Sequence, residues 1–343
     1  MTGRGFPRSL ILIAALLLPC APAAANDSTG FEGTTGIELS TTDDIRMVSE
    51  DLRIGLDEIR VSYVFRNVSA HPVETLVVFP LPDLDLSRGL TAPNWAFPSG
   101  KHDFLNFRLW VDDRPLAPSL ERRAFFHGKD VTRDLEAAGA LDLLVPWAPG
   151  GYDEQAKALP APVLERLRSA GLIQEGEDQN NPQWQLRNRY YWRQTFPAGA
   201  DVRVRHVYKP FVGSALLEKA TEVDGRRVVG RFVGEESNPG GDRYCLDDGT
   251  RRALAAVQSR NPKEIMPFGA AEIEYILTTA RNWRGAIGSF HLTLDKGAPE
   301  NILSLCWNGL KKTGPTTFES TIAGFVPDRD IRLLIFVRTK NRP

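Results

Sequence analysis

From Ile59 onward, apolar and polar positions alternate. Ile59, Val61, Tyr63 and Phe65 fall on one side, and Arg60, Ser62, Val64 and Arg66 on the other. A period of two predicts a strand with one buried face. After the turn "SAHP", the run "ETLVVFPLPD" is more continuously apolar and predicts a strand stopped by Pro80 and Pro82, because proline lacks the ladder donor. "NFRLWVDDRPL" predicts another strand running into a turn. From about 126 to 183 the period changes. "DVTRDLEAAGALDLL" and "APVLERLRSAGL" predict helices, the second with Pro162 near its start and Gly171 at its end. Leu164 and Leu167 would share one face of that helix.

Alternation returns in "QLRNRYYWRQTF" and "DVRVRHVYKP". Pro197 and Gly199 between them predict a hairpin, and "VDGRRVVGRFVG" predicts a second one. "GEESNPGG" reads as a linker, followed by a short helix over "TRRALAAVQSR". "AEIEYILTT", "SFHLTLD", "NILSLCW", "TTFESTI" and "DIRLLIFV" then form a second β set. Many short strands broken by turn residues predict a mainly β protein with two β-sandwich-like domains. The first spans 26–235 and carries a helical insertion at about 126–183; the second spans 236–343. A ligand crevice at a topological switch point is not expected, since that belongs to open parallel sheets.

The first residues change the picture of where this chain works. Arg4 and Arg8 precede the apolar run "LILIAALLL", and Ala23 and Ala25 occupy small-residue positions before Asn26. This is the pattern of a secretory signal peptide over 1–25, cut between Ala25 and Asn26. The apolar run is short for a membrane span. Pro19 before Cys20 argues against a lipoprotein cysteine. Cutting there leaves 318 of the 343 residues and removes two arginines, moving the net charge from −1 to −3. Near-balanced charge argues against a nucleic-acid binder. The expected place is periplasmic or extracellular, with no transmembrane segment after cleavage. Two cysteines remain, Cys245 and Cys306, and an even count in an oxidising compartment predicts one disulfide.

Candidate chemistry is sparse. His71, His102, His127, His206 and His291 are scattered, with no helical pair around a glutamate and no cysteine cluster, so neither a metal nor another cofactor is expected. In "DLDLSRG", Asp83 to Gly89, the glycine falls one place too late for a calcium loop. There is no G-x-S-x-G elbow and no phosphate-binding glycine loop. Cys245 lies near Asp247 and Asp248, which would make a thiol less reactive.

The richest stretch is "NRYYWRQTFPAG". Alternation places Trp184, Leu186, Tyr190, Trp192 and Phe196 on a core face, and Arg187, Arg189, Tyr191 and Arg193 on the other. Arg203, Arg205 and Lys209 take the corresponding face of the next strand. In one hairpin these six cations would line its outer side. Such a ladder would recognise carboxylates or phosphates of a protein or an anionic envelope component. The competing reading, favoured on general grounds, is a solvated strand face with acids opposite on neighbouring strands.

"AANDST", "FRNVS…FPLPD", "YYWRQTFPAG…RHVYKP", "YILTTARNW" and "KKTGPTTFE…FVPDRD" together resemble an uncharacterised family of exported bacterial proteins, domain of unknown function 4424. The resemblance spans nearly all of the chain after the leader and implies no activity and no catalytic residue. "FRNVSAHPVETLVVFPLPD" followed by "FRLWVDDRPL" is also similar to the VIT-type β-sandwich of inter-alpha-trypsin inhibitor heavy chains, which implies fold alone. The expectation is an exported, non-enzymatic β protein that binds a partner or envelope component. The rivals are an envelope hydrolase using Asp130, Asp134 or Glu136 beside the insertion, and a structural or chaperone-like assembly factor.

Overall fold

The computed structural model describes residues 26–33, 36–87, 104–146, 152–175, 180–215, 221–223, 226–228, 244–260 and 268–338. It is mainly β, with a few short helices. A seven-stranded sheet runs in the order Lys129–Asp130, Ser119–Phe126, Gln185–Phe196, Val73–Pro80, Ser28–Gly33, Gly36–Ser40, and Leu84–Asp85 also pairs with Gln185–Phe196. An eight-stranded sheet runs Lys311–Lys312, Thr317–Phe325, Ile287–Asp295, Ile45–Gly55, Ile59–Asn67, Asp201–Tyr208, Arg108–Val111, Arg114–Leu116. Ile287–Asp295 pairs in parallel with Ile45–Gly55, so the two halves of the chain share this sheet. A four-stranded sheet joins Gly213–Ala215, Phe268–Tyr275, Ile331–Arg338 and Ile302–Leu305. The expected boundary at 235/236 lies outside the described residues.

The two large sheets pack by their apolar faces. Tyr190 stacks on Phe107 at 4.1 Å between ring centroids, Trp192 meets His206 edge-on at 5.4 Å, and Phe196 meets Phe65 at 6.0 Å. Aromatic pairs of this kind add to the burial of large apolar area. Ile59, Val61, Tyr63 and Phe65 are buried, as their alternation predicts.

One predicted connection is different. Gln185–Phe196 and Asp201–Tyr208 do not form a hairpin; they belong to opposite sheets. Gln185–Phe196 is already paired on one side with Val73–Pro80 and on the other with Ser119–Phe126, which leaves it no free edge. Pro197–Ala200 instead carries the chain across the sandwich. Asn67 fastens this arch, donating from Nδ2 to Phe196 O at 2.8 Å and from its backbone N to Ala200 O at 3.2 Å.

The insertion holds helices Thr132–Ala137, Tyr152–Lys157 and Ala161–Ser169. The first is shorter than its apolar pattern suggests, because Gly139 turns the chain at φ +66°. Leu135, Ala156 and Leu167 bury their side chains in the main core. Cys245 and Cys306 form a disulfide, linking the segment before helix Asp248–Arg260 to the end of strand Ile302–Leu305. No helix among the described residues is long and apolar enough to cross a membrane.

Candidate functional site

The arginines of the predicted ladder are divided between two outer faces. On the seven-stranded sheet, Arg187 pairs with Asp83 at 3.3 Å and lies over the Phe125 ring at 4.3 Å. Arg189 donates to the Ile37 carbonyl and lies 3.9 Å from Glu121, and Arg193 lies 3.3 Å from Glu32 and 3.8 Å from Glu74. Tyr191 stands among them but packs on a small second apolar cluster of Ile37, Leu76 and Val78. On the other sheet, Arg205 covers the Trp110 ring at 4.0 Å, and the Arg203 backbone exchanges hydrogen bonds with Asp112. Splitting the two strands between sheets prevents one continuous cationic surface.

At the centre of the sandwich lies a polar cluster closed to solvent. Asn26, Asp27, Glu50 and His206 are fully buried there. Asn26 Nδ2 donates to Glu50 Oε2 at 3.0 Å, and Tyr63 Oη donates to Asn26 Oδ1 at 2.6 Å. The hydroxyls of Tyr63 and Tyr275 meet at 3.0 Å. Asp27 Oδ2 approaches His206 Nε2 at 3.5 Å without hydrogen-bond geometry. Burial pushes the Glu50 carboxyl up to about 8, against the lowering effect of its bonds from Asn26 and Tyr275. Burial, and then the charge of Glu50, raise Asp27 as well. The same desolvation pushes the His206 imidazole down to about 3. No part of this cluster is reachable by a ligand from outside.

The sequence hid Glu50 for a clear reason. Alternation from Ile45 and Met47 would send Ser49 and Asp51 inward. A β-bulge between Met47 and Ser49 shifts the register by one residue, so Glu50, Leu52 and Ile54 point into the core instead.

An open cleft lies beside the insertion. It has a volume of about 780 Å³, within the usual range for small-ligand sites. One wall is the tip of the hairpin joining Ser119–Phe126 to Lys129–Asp130. His127 and Gly128 form its two-residue turn, both with positive φ (48° and 77°), as a type I′ turn requires. That turn sets the His127 ring 4.1 Å from Phe126, beside Phe125. The opposite wall is helix Ala161–Ser169, which presents Glu165, Arg168 and Ser169 on one face. Gln174, Gln183 and Gln185 complete the lining with Asp85, Ser87 and Glu175.

Arg168 organises the helical wall. It donates to Asn180 Oδ1 at 2.8 Å and lies 4.0 Å from Glu165 and 3.6 Å from Glu175. Asn180 in turn donates to Asp153 at 2.7 Å, tying three pieces of the insertion together. Asp85 accepts from the amide and hydroxyl of Ser87, which is the turn that closes "DLDLS"; Gly89 lies outside the described residues. Asp130 pairs with Arg123 and accepts from the Thr132 amide, while Asp134 and Glu136 are exposed on their helix; none of the three lines the cleft. Among the described residues no three of His, Cys, Asp and Glu converge on a point where a metal ion would sit.

Residues 25–334 match the family described as a domain of unknown function, DUF4424. The chain belongs to that family. No curated protein matches at a significant level. Among solved structures, a putative nutrient binding protein from Legionella pneumophila subsp. pneumophila str. Philadelphia 1 is 16% identical, with a TM-score of 0.42 over 91% of this chain and 72% of that one. A two-domain M1 zinc metallopeptidase, an E323A mutant bound to L-tryptophan, is 8% identical, with a TM-score of 0.25 over 86% of this chain and 44% of that one.

Proposed function

We propose that this DUF4424 protein is an exported, non-catalytic binding protein that takes a polar, glycan-like component of the cell envelope in the cleft beside the helical insertion. The observation that carries this reading is the cleft's lining. Gln174 and Gln185 each bring an amide with both donors and an acceptor, and Gln183 adds an amide that also donates to the Asn181 carbonyl at 3.1 Å, together the complement of a hydroxyl-rich ligand. Phe125, Phe126 and His127 add ring surface for the C–H faces of a sugar. Asp85, Glu165 and Glu175 outnumber the single arginine, which favours a neutral or cationic ligand over an anionic one. The disulfide suits an oxidising compartment and supports export.

The hydrolase reading is weaker on the same geometry. Glu165 and Glu175 have side chains 71% and 69% exposed and share Arg168, whereas a catalytic acid is raised by burial. The test is a screen of envelope glycans and peptides against the exported protein, read for binding and for turnover. Saturable glycan binding without cleavage supports this reading. Turnover establishes the hydrolase instead, and retention of unfolded exported proteins alone establishes the chaperone-like role.

A further inference from the structure

A chain start ordinarily frays unless it is tied down. Here Asn26, Asp27 and Ser28 are all fully buried. The 3-10 helix Thr278–Asn282 and Trp283, from the far end of the chain, hold them in place. Asn26 N donates to Thr279 Oγ1 at 2.7 Å, Trp283 Nε1 donates to the Asp27 carbonyl at 2.6 Å, and Asn282 Nδ2 donates to Ser28 Oγ at 2.7 Å.

The same place contains two carboxyls and, among the described residues, no cation. Among the described residues, no lysine or arginine lies within ion-pair distance of Asp27 or Glu50. His206, the remaining basic group, is held neutral by burial. Among the described residues neither Asp27 carboxylate oxygen has a hydrogen-bond partner. An unpaired buried acid is costly, and natural cores supply a partner for it.

We propose that removal of the leader at the Ala25–Asn26 bond creates the missing cation: the new α-ammonium of Asn26 becomes the buried counter-ion of Asp27 and Glu50, so that processing completes the core. This rests on the exported reading above. In the hydrolysis, water adds across the peptide bond. Ala25 leaves with the carboxylate, and the amine on Asn26 takes up a proton. The nitrogen is already fixed by Thr279, on the residue whose own side chain bonds Glu50 and next to Asp27. Before the cut, this nitrogen is a neutral amide with one proton. After it, the group carries a charge and three donors. The precursor therefore has a less stable core than the processed chain, which suits a protein that crosses a membrane before it folds.

The experiment compares the exported protein with a version carrying one glycine inserted between Ala25 and Asn26. Intact mass identifies the first residue of each. The α-amine of Asn26 is expected to be acylated at least tenfold more slowly in the folded protein than in urea, while the inserted glycine is acylated readily in both. The glycine version is expected to melt at least about 3 °C lower, and Glu50→Gln is expected to shrink that gap. The folded-against-unfolded acylation ratio of the unaltered protein stands even if the glycine version does not accumulate. A first residue other than Asn26 overturns the reading of the leader, and the counter-ion with it. Asn26 as first residue, with acylation equally fast folded and unfolded, overturns the counter-ion and leaves export intact.

Discussion

A Cβ on Gly288 would lie 2.5 Å from the carbonyl oxygen of Val48. Val48 is the extra residue at the β-bulge, and Gly288 belongs to the parallel neighbour strand Ile287–Asp295. The missing side chain lets the bulged backbone approach, and the bulge turns Glu50 inward. Gly288→Ala must push the two strands apart or flatten the bulge. Its expected cost is about 1–3 kcal/mol, the usual range for overpacking, read from urea unfolding. An unchanged midpoint would show that the bulge does not depend on this contact.

The His206 imidazole sets an acid-side dependence of stability. Its folded pKa is lowered to about 3 from 6.5, so below pH 6.5 the unfolded chain binds a proton that the folded chain refuses. Stability from this group is present above 6.5 and is lost as pH falls toward 3, at up to about 1.4 kcal/mol per pH unit. While Asn26 N is an amide, Glu50 and Asp27, facing the same interior with Tyr63, Tyr208 and Tyr275, have raised values and act in the opposite sense, their contribution full at low pH and lost as pH rises; an Asn26 ammonium beside them lowers both carboxyls and removes that opposing effect. Comparison with His206→Phe isolates the histidine. The wild type is expected to lose stability relative to the variant on acidification from pH 6.5 to 4. A difference independent of pH would remove His206 from the titration.

Arg189 and Arg193, both in the predicted ladder, should behave differently. Arg189 is largely buried, and Glu121 beside it is raised by burial. Arg189→Ala removes the cation nearest that carboxyl, leaving Arg123 at 4.0 Å as its remaining pair, and strips the Ile37 carbonyl of its donor; it is expected to cost about 1–3 kcal/mol. The Arg193 side chain is 66% exposed, and Arg193→Ala should change stability by less than about 0.5 kcal/mol. Equal effects in thermal unfolding would contradict the placement of Arg189.

The disulfide closes a separation of 61 residues. Chain entropy alone predicts a loss of about 4 kcal/mol when it is removed. Cys245→Ser with Cys306→Ser should therefore unfold at clearly lower denaturant than the oxidised wild type. A shift of under 1 kcal/mol, on the order of thermal energy, would mean that the loop is already ordered in the unfolded chain.

Much of the strand pattern was legible in the sequence because one buried face imposes a period of two. That is why Ile59 to Phe65 and Leu186 to Phe196 show their inward residues directly. Pairing partners were not legible. Pro197 and Gly199 mark a reversal equally well for a hairpin or for an arch between sheets, and the decision lies in the two neighbours that fill both edges of Gln185–Phe196. Glu50 was hidden by a bulge that no local residue announces. The burial of Asn26 and Asp27 depends on Thr279 and Trp283, more than two hundred residues away. The cleft was equally silent, since its walls come from a hairpin tip, a helix and two further strands that meet through folding.

Glycan recognition in the cleft is measured by calorimetric titration of the protein with soluble fragments of envelope glycan, alongside Gln174→Ala combined with Gln185→Ala. Both glutamine side chains are exposed on the cleft wall, so the double variant should keep its melting temperature. Recognition by the cleft implies saturable binding to the wild type, weakened at least tenfold in the variant, equivalent to about 1.4 kcal/mol. Equal binding by both proteins, or none by the wild type, would contradict it.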